Sequence, residues 1–402
     1  MRKLFFGFMA ISAMLFTACD DDDDDDTTTP TPNSGCIVVT GEITSDQTWE
    51  TGNCYELDGR VTVTSGVTLT IEEGVVVKGQ TGAGANASVL LVARGGTLNA
   101  NGTAADPIIF TSVADEIEPG QITSPNLDPT FDNLWGGVII LGDAPISASA
   151  DEVQIEGIPP TDQNGLYGGQ NEGHNGGTIR YISIRHGGTN IGDGNEINGL
   201  TLGGVGSGTT IENVEVVANQ DDGIEWFGGN VDITNALIWN SGDDGLDTDQ
   251  DWIGTCENFI IVSPRGGSGF ELDGPEGSLN RGFHTFKNGV VYAGDDIDHL
   301  VDWDDNTNAE LTDVYFYGWS DSYGADNKPI ETFGGDGKGA SANWEYTLTA
   351  GGAPADSIFL GVPPAALTEI TGGASAKTVG PTAADFGWTW AAQSNALSGI
   401  GL

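Results

Sequence analysis

Six times between residues 179 and 316 the chain places two apolar residues five positions apart around a more polar stretch: Ile179 and Ile184, Ile211 and Val216, Ile233 and Ile238, Cys256 and Ile261, Phe286 and Val291, Leu311 and Phe316. Successive copies begin 32, 22, 23, 30 and 25 residues apart. A minimum near 22 with longer intervals between is what stacked turns give when loops bulge from some of them. Asn213, Asn235, Asn258 and Asn288 stand two residues after the first anchor, and Asp313 takes that place in the last copy. Amides stacked in this way bond the neighbours above and below, which satisfies polar groups that are costly to bury alone. A second short strand follows three of the copies: Gly223-Ile224-Glu225-Trp226, Gly245-Leu246-Asp247-Thr248 and Gly269-Phe270-Glu271-Leu272. Alternation predicts Ile224, Trp226, Leu246, Phe270 and Leu272 inside and the carboxylates outside. Glycines and Asp-Gly pairs mark the corners.

Similar short strands with glycine corners occur earlier, at Val61–Val63, Val67–Ile71, Val75–Val77, Val89–Val92, Ile108–Phe110 and Val138–Leu141. A β-sandwich or propeller also has short strands and glycine turns, but a propeller blade takes roughly 40 residues or more, and the 22-residue spacing favours a solenoid. The Ile-x-Asn-x-x-Ile and Asp-Gly-Ile elements resemble the parallel β-helix repeat of pectate-lyase-like proteins. The run from Gly59 to Ser112, with Trp135-Gly-Gly, is similar to uncharacterised β-helix lipoproteins and secreted proteins of Bacteroidota. The expected fold is therefore all-β, a single-stranded right-handed parallel β-helix with end caps, right-handed because connected parallel strands take that hand. The helix is expected over 36–340. Residues 341–402 lose the repeat and are expected to cap one end, because an open end is an edge-pairing hazard. Residues 36–60 would cap the other.

The start of the chain is built differently. Met1-Arg2-Lys3 precedes an apolar or small stretch from Leu4 to Ala18, then Cys19 and seven aspartates, Asp20 to Asp26. A basic end, a short apolar run and small residues before a cut are the layout of a secretory signal, here residues 1–18. The run is shorter than the roughly 20 residues a membrane-crossing helix needs. Leu15-Phe16-Thr17-Ala18-Cys19 resembles a bacterial lipobox, with Phe16 where Leu is usual. That resemblance implies lipidation at Cys19 and attachment to the outer membrane, and the acidic run after it resembles the export signal of Bacteroidota surface lipoproteins. A plain solvated spacer is the competing reading of the aspartates. Residues 19–35 then form an acidic, Thr- and Pro-rich tether that reaches up to roughly 50 Å.

Composition sharpens the choice of partners. The 402 residues carry 13 basic and 59 acidic side chains, a net charge of −46, and loss of Arg2 and Lys3 with the signal makes it −48. Such a chain repels nucleic acid and anionic lipid and attracts cations. With 38% hydrophobic residues it is globular, and its 62 glycines are about twice the usual share. Cys36 and Cys54 flank the start of the folded body and form a candidate disulfide for an oxidising exterior, contributing about 3 kcal/mol through loop closure. Cys256, at an anchor position, reads as a small buried hydrophobe.

The acidic residues fall into files, and the corner pairs Asp221-Asp222, Asp243-Asp244 and Asp295-Asp296 add further charge at the strand entrances. Glu225, Asp247 and Glu271 occupy equivalent places on successive coils, with Asp249 and Asp273 two positions on, and Asp298 is expected to extend the first file. Charges about 4.8 Å apart repel by roughly 0.9 kcal/mol even in water. A hard cation with six to eight oxygen ligands relieves that, so Glu225, Asp247, Asp249, Glu271 and Asp273 are a candidate Ca²⁺ site. Two other readings stay open: a solvated acidic face, and a catalytic acid pair. For the pair, Ser241-Gly242-Asp243-Asp244 resembles the Gly-Asp-Asp element of polygalacturonase-like glycoside hydrolases, which implies acid and base roles for Asp243 and Asp244. The Asn-Thr-Asp, Gly-His-Gly and Arg-x-Lys elements of those enzymes do not occur here in the expected order. Ile297-Asp298-His299 resembles part of a pectate lyase motif, and Arg265 or Arg281 would have to serve as the lyase base.

The remaining motifs carry less. His174, His186, His284 and His299 have no paired zinc spacing and are expected at the surface or at corners. Gly203 to Gly208 lacks the Lys-Ser/Thr of a phosphate loop. Tyr315, Tyr317, Trp319 and Tyr323 suit packing under a cap, or stacking on sugar rings. The sequence thus points to a lipid-anchored protein facing the cell exterior with a Ca²⁺-binding acidic face. Its expected role is adhesive, glycan-binding or surface-structural, with polysaccharide or another surface protein as partner. The alternative is a polysaccharide lyase or glycoside hydrolase.

Overall fold

The computed structural model describes residues 35–190, 197–262, 265–294, 297–304, 306–319, 341–350, 353–359 and 362–402. The signal, Cys19, the tether, Asp295, Asp296 and Tyr323 therefore lie outside the described residues. Gly35 to Leu402 forms one compact unit.

Apolar anchors at a fixed spacing produce a right-handed parallel β-helix of three faces. Each repeat phrase is one strand, as in Thr210–Val217, Ile233–Trp239 and Thr255–Val262, and each pairs in parallel with its counterpart one coil away. The phrase strand bends in the middle and so serves two faces. Gly177–Arg185 shows this directly: its first half pairs with Thr97–Asn101 and its second half with Ile108–Ser112. The bend is at the residue two after the first anchor, which has a left-handed backbone at Tyr181, Asn213, Asn235, Asn258, Asn288 and Asp313, with φ between 49° and 62°. Asn and Asp adopt that conformation at less cost than most residues, which is a stronger reason for their presence than the amide ladder alone. The ladder is also there: Asn235 Nδ2 donates to Asn213 Oδ1 at 2.9 Å, Asn258 donates to Asn235 at 3.2 Å, and Asn288 donates to Asn258.

The third face is made of the short strands Val89–Val92, Val138–Leu141, Leu200–Gly203, Ile224–Phe227, Leu246–Asp249, Phe270–Leu272 and Asp302–Trp303, paired in register down the stack. All twelve anchors of the six phrases lie in the lumen core, as do Ile224, Trp226, Leu246, Phe270 and Leu272. Cys256 is among them and fully buried, as its anchor position predicts. Gly289 marks one tight contact: a Cβ there would stand 1.9 Å from the Phe259 ring.

At the first coil Cys36 and Cys54 form a disulfide, and Trp49 stacks on Tyr55 at 4.6 Å to close the lumen. At the far end the sheet runs on past residue 340: Trp344–Thr347 pairs with Ala309–Tyr317, and Leu367–Glu369 pairs with Trp344–Thr347. Ile358, Phe359 and Val362 join the lumen core there with Trp319 and Trp344. The last segment does something else. Residues 374–402 lie along the outside of the second face, where Phe386, Trp390 and Leu397 cover Val217, Leu237, Ile260, Val290 and Tyr315. Trp388 and Trp390 thus belong to a lateral arm, and an end cap accounts only for the earlier part of 341–402. Tyr315 and Tyr317 are buried under this arm and Trp319 in the lumen, so packing explains all three.

Among the described residues, two insertions pack on the outside of the solenoid. In one, Asp115 organises the loop after the Ile108–Ser112 strand, accepting from Ile117 N and from Ser124 and Thr111 hydroxyls. The other carries the small antiparallel pair Val153–Gln154 and Leu166–Tyr167, and its Ile155, Ile158 and Tyr167 pack on the outside of the third face against Ile139, Leu141 and Phe227.

Candidate functional site

The third face positions the acidic file. Parallel pairing sets Glu225 beside Asp247 and Asp247 beside Glu271. The next partner is Asp302, not the expected Asp298, because the coil after Glu271 is longer and Asp298 falls on the preceding corner, where its N–H bonds Gly267 O. Asp249 pairs with Phe227, and Asp273 continues its file, donating its N–H to Thr248 O at 2.9 Å.

The corner leading into each strand adds a second tier. Asp222 Oδ1 accepts the Asp244 N–H at 2.9 Å, and Asp244 accepts the Ser268 N–H in the same way one coil on. Asn219 holds the corner, donating to Asp222 O at 2.8 Å. These bonds fix the aspartates at strand entry.

Together the two tiers form a cleft of about 340 Å³ lined by Glu156, Asp221, Asp222, Glu225, Asp243, Asp247 and Glu271. Among the described residues, lysine, arginine and histidine are absent from that lining. Glu156 comes from the hairpin insertion, more than sixty residues before the file, and forms a wall over it. Glu225 and Asp247 point away from the lumen as alternation requires, yet are only 7% and 9% exposed. A freely solvated acidic face is therefore not what the chain builds. The insertion covers it.

Burial without a counter-charge governs the electrostatics. Asp222, Glu225 and Asp247 are held well above the ordinary carboxylate range, first by desolvation and then by neighbouring carboxylates. Asp244 is pushed up to about 9 by burial and by Glu271. Asp249 and Asp273 are raised to about 7, again mainly by burial, with Glu276 the next cause for the former and Asp304 for the latter. Glu156 is raised by burial too.

The donor set suits a hard cation. Oxygens of Asp221, Asp222 and Asp243 lie within 4.8 Å of one another, and so do those of Asp222, Glu225 and Asp247. A buried amide braces them from behind. Asn198 is fully buried and donates its Nδ2 to Glu225 and, at 3.4 Å, to Glu156, while its Oδ1 has no hydrogen-bond partner. Its amide nitrogen thus holds the Glu225 and Glu156 carboxylates in place.

Of the expected metal residues, Glu225, Asp247 and Glu271 meet in the cleft, whereas Asp249 and Asp273 stand in the neighbouring file outside its lining. Asp243 lines the cleft and Asp244 is buried beneath it. Glu156 and Asn198 were not singled out from sequence, whereas Asp222 was, as half of the Asp221-Asp222 corner pair. Asp222 had a readable signal, since Asp222-Gly223 and Asp244-Gly245 occupy the same repeat position. The lyase bases are both engaged elsewhere: Arg265 pairs with Asp132 and donates to Thr130 O, and Arg281 pairs with Asp251 at 3.0 Å and donates to Gly229 O. The histidines also differ from expectation, because a lumen or a loop covers three of them. His284 stacks on Trp252 at 5.3 Å, its pKa lowered to about 3 by burial, and His174 and His186 are buried as well.

A family model described as the pectate-lyase like beta helix domain matches residues 41–292. Among solved structures, the chain is similar to the Yersinia enterocolitica family 28 exopolygalacturonase, at 11% identity with a TM-score of 0.20, over 74% of this chain and 66% of that one. The chain thus spans just under two thirds of the length of that enzyme. No curated protein matches.

Proposed function

The chain belongs to the pectate-lyase-like β-helix family, and we propose that it is a non-enzymatic surface protein that holds Ca²⁺ in its acidic cleft. In this reading Cys19 is lipidated, the protein is anchored in the outer membrane and faces the exterior, and the stiff tether holds the β-helix away from the lipid. It serves adhesion, glycan binding or the surface coat. The signal-like start, the cysteine and the aspartate run support the location. A net charge of −46 argues against nucleic acid as a partner.

One observation carries the cation reading: among the described residues, seven carboxylates line one cleft without a basic side chain among them. Several of these are buried, and buried like charges persist at neutral pH only if they take up protons or a cation. An anionic uronate would be repelled by such a lining without a bridging cation. The test is thermal melting of the EDTA-stripped protein during a Ca²⁺ titration. Stabilisation at millimolar Ca²⁺ that is lost in Asp247→Asn and Glu271→Gln is expected. An unchanged melting temperature would remove the metal.

A glycoside hydrolase is the second reading, favoured by one feature. Asp244, pushed up to about 9, stays protonated at neutral pH as a general acid must, and Asp243 is adjacent. Release of reducing-end products from polysaccharide, abolished by Asp243→Asn or Asp244→Asn, would establish that reading. A binder retains the polymer unchanged.

A further inference from the structure

Two of the three faces are covered by segments of the chain itself. Residues 374–402 lie over the second face, and the insertion with Ile155, Ile158 and Tyr167 lies over the third. Outward side chains there are buried accordingly, as at Leu237 and Ile260 on one and Ile139 and Glu225 on the other. The first face, made by the first half of each phrase strand, differs. Its outward threonines and charged residues stay at least partly exposed on coil after coil among the described residues.

What this face presents is ordered. Parallel pairing sets Thr178 beside Thr210 and Thr255 beside Thr285 in one file. Their hydroxyls enter no hydrogen bond among the described residues. A second file runs Arg180, Glu212, Thr234, Glu257, Lys287 and Thr312. Its charges cancel locally: Arg180 pairs with Glu212 and Lys287 with Glu257, each at 3.1 Å, with 40 to 45% of every one of these side chains exposed. Phe283 stands beside the files, 43% exposed. It lies two residues before Thr285, and with His284 buried between them alternation puts both on the outer side.

Charge and chemistry select the occupant. A polyanion gains little from cations that already have partners, and a net charge of −46 repels it, as it repels a second copy. An apolar protein surface finds no patch to meet, since Phe283 is the one large apolar side chain exposed on this face among the described residues. Rows of hydroxyls that both donate and accept fit a polymer that is itself covered in hydroxyls. Coils about 4.8 Å apart repeat those groups at close to the step of successive sugars in an extended chain. An exposed aromatic ring beside them offers a platform for a sugar's apolar side. Building on the glycan-binding role proposed above, we infer that the first face binds an extended, uncharged polysaccharide running along the solenoid axis, apart from the acidic cleft.

The test is native affinity electrophoresis of the full chain. Gels contain galactomannan or mixed-linkage β-glucan as neutral probes, or polygalacturonate, with and without Ca²⁺, as the anionic one. Wild type is expected to be retarded by a neutral polymer in EDTA as in Ca²⁺. Thr210→Val combined with Thr255→Val keeps the side-chain shape and removes two hydroxyls, weakening association about tenfold, as the loss of two ordinary hydrogen bonds does. Phe283→Ala weakens it as well. These positions are partly or fully exposed, and melting temperatures check that the variants fold. Retardation by polygalacturonate with Ca²⁺ alone, or by a neutral polymer to the same degree in every variant, overturns the first-face site and leaves the glycan-binding role standing. No retardation by any of the polymers overturns both.

Discussion

Asp249 offers a clean view of how strongly the third face resists ionisation. Burial first, then Glu276, raises its pKa from an ordinary 3.8 to about 7 in the folded protein. A raised folded-state pKa means that the fold binds a proton more tightly than the unfolded chain. Stability is therefore highest at low pH, falls as pH climbs past about 4, and stops falling above about 7. At about 1.36 kcal/mol per pH unit, the cost is about 1.6 kcal/mol at pH 5 and about 4 kcal/mol at pH 8. Salt screens part of the Glu276 contribution, so about 2–4 kcal/mol is expected at pH 8 in ordinary buffer. Asn keeps the Oδ1 that accepts the Gln250 N–H at 2.7 Å while removing the charge. Urea unfolding in EDTA should thus show Asp249→Asn more stable than wild type, with the gap widening by about 2 kcal/mol from pH 5 to pH 8. A gap that stays constant across that range, or a variant weaker than wild type at pH 8, would refute the claim that this carboxylate is penalised by burial.

Three further outcomes follow from contacts elsewhere. Glu215 is fully buried and accepts from Ser183, from the N–H groups of Trp390 and Ala391, and faces Arg185, so Glu215→Ala should cost about 3–5 kcal/mol. Limited proteolysis should then cut the loosened arm within residues 374–402 in the variant and spare it in wild type. At the left-handed bend, Asn258→Ala should destabilise by about 1–2 kcal/mol, and Asn258→Gly by less, since glycine keeps the conformation and loses only the ladder bonds; denaturant midpoints separate the two. Replacing Cys36 and Cys54 by serine should lower stability by about 3 kcal/mol, matched by wild type in reductant.

The coil was legible because its anchors repeat: Ile211, Ile233 and Cys256 sit at one depth in every turn, and hydrophobic spacing reports depth directly. The Cys36–Cys54 bridge was legible for a similar reason, both residues lying at the start of the first coil. The bend was half legible. Stacked asparagines announced themselves, but Tyr181 at the same position with φ 49° shows that the backbone conformation, not the amide, is the common requirement. Features made by distant segments were not legible. Nothing local to Glu156 predicts that it walls a file beginning at Glu225, because irregular insertions carry no period to align. A solvated face therefore stayed open as a reading, although Glu225 and Asp247 are only 7% and 9% exposed. Trp390, likewise, reaches back 175 residues to Glu215, and its aromatic neighbourhood suggested a cap rather than an arm along the side. Asp298 lost its place to Asp302 because a single longer coil shifts every later register.

The central claim is that cations occupy the cleft around Asp222, and diffraction tests it most directly. Crystals grown with Ca²⁺ and exchanged into Tb³⁺ should give an anomalous peak among the carboxylates around Asp222. A map with ordered water alone among these seven carboxylates, at saturating ion, would contradict the account.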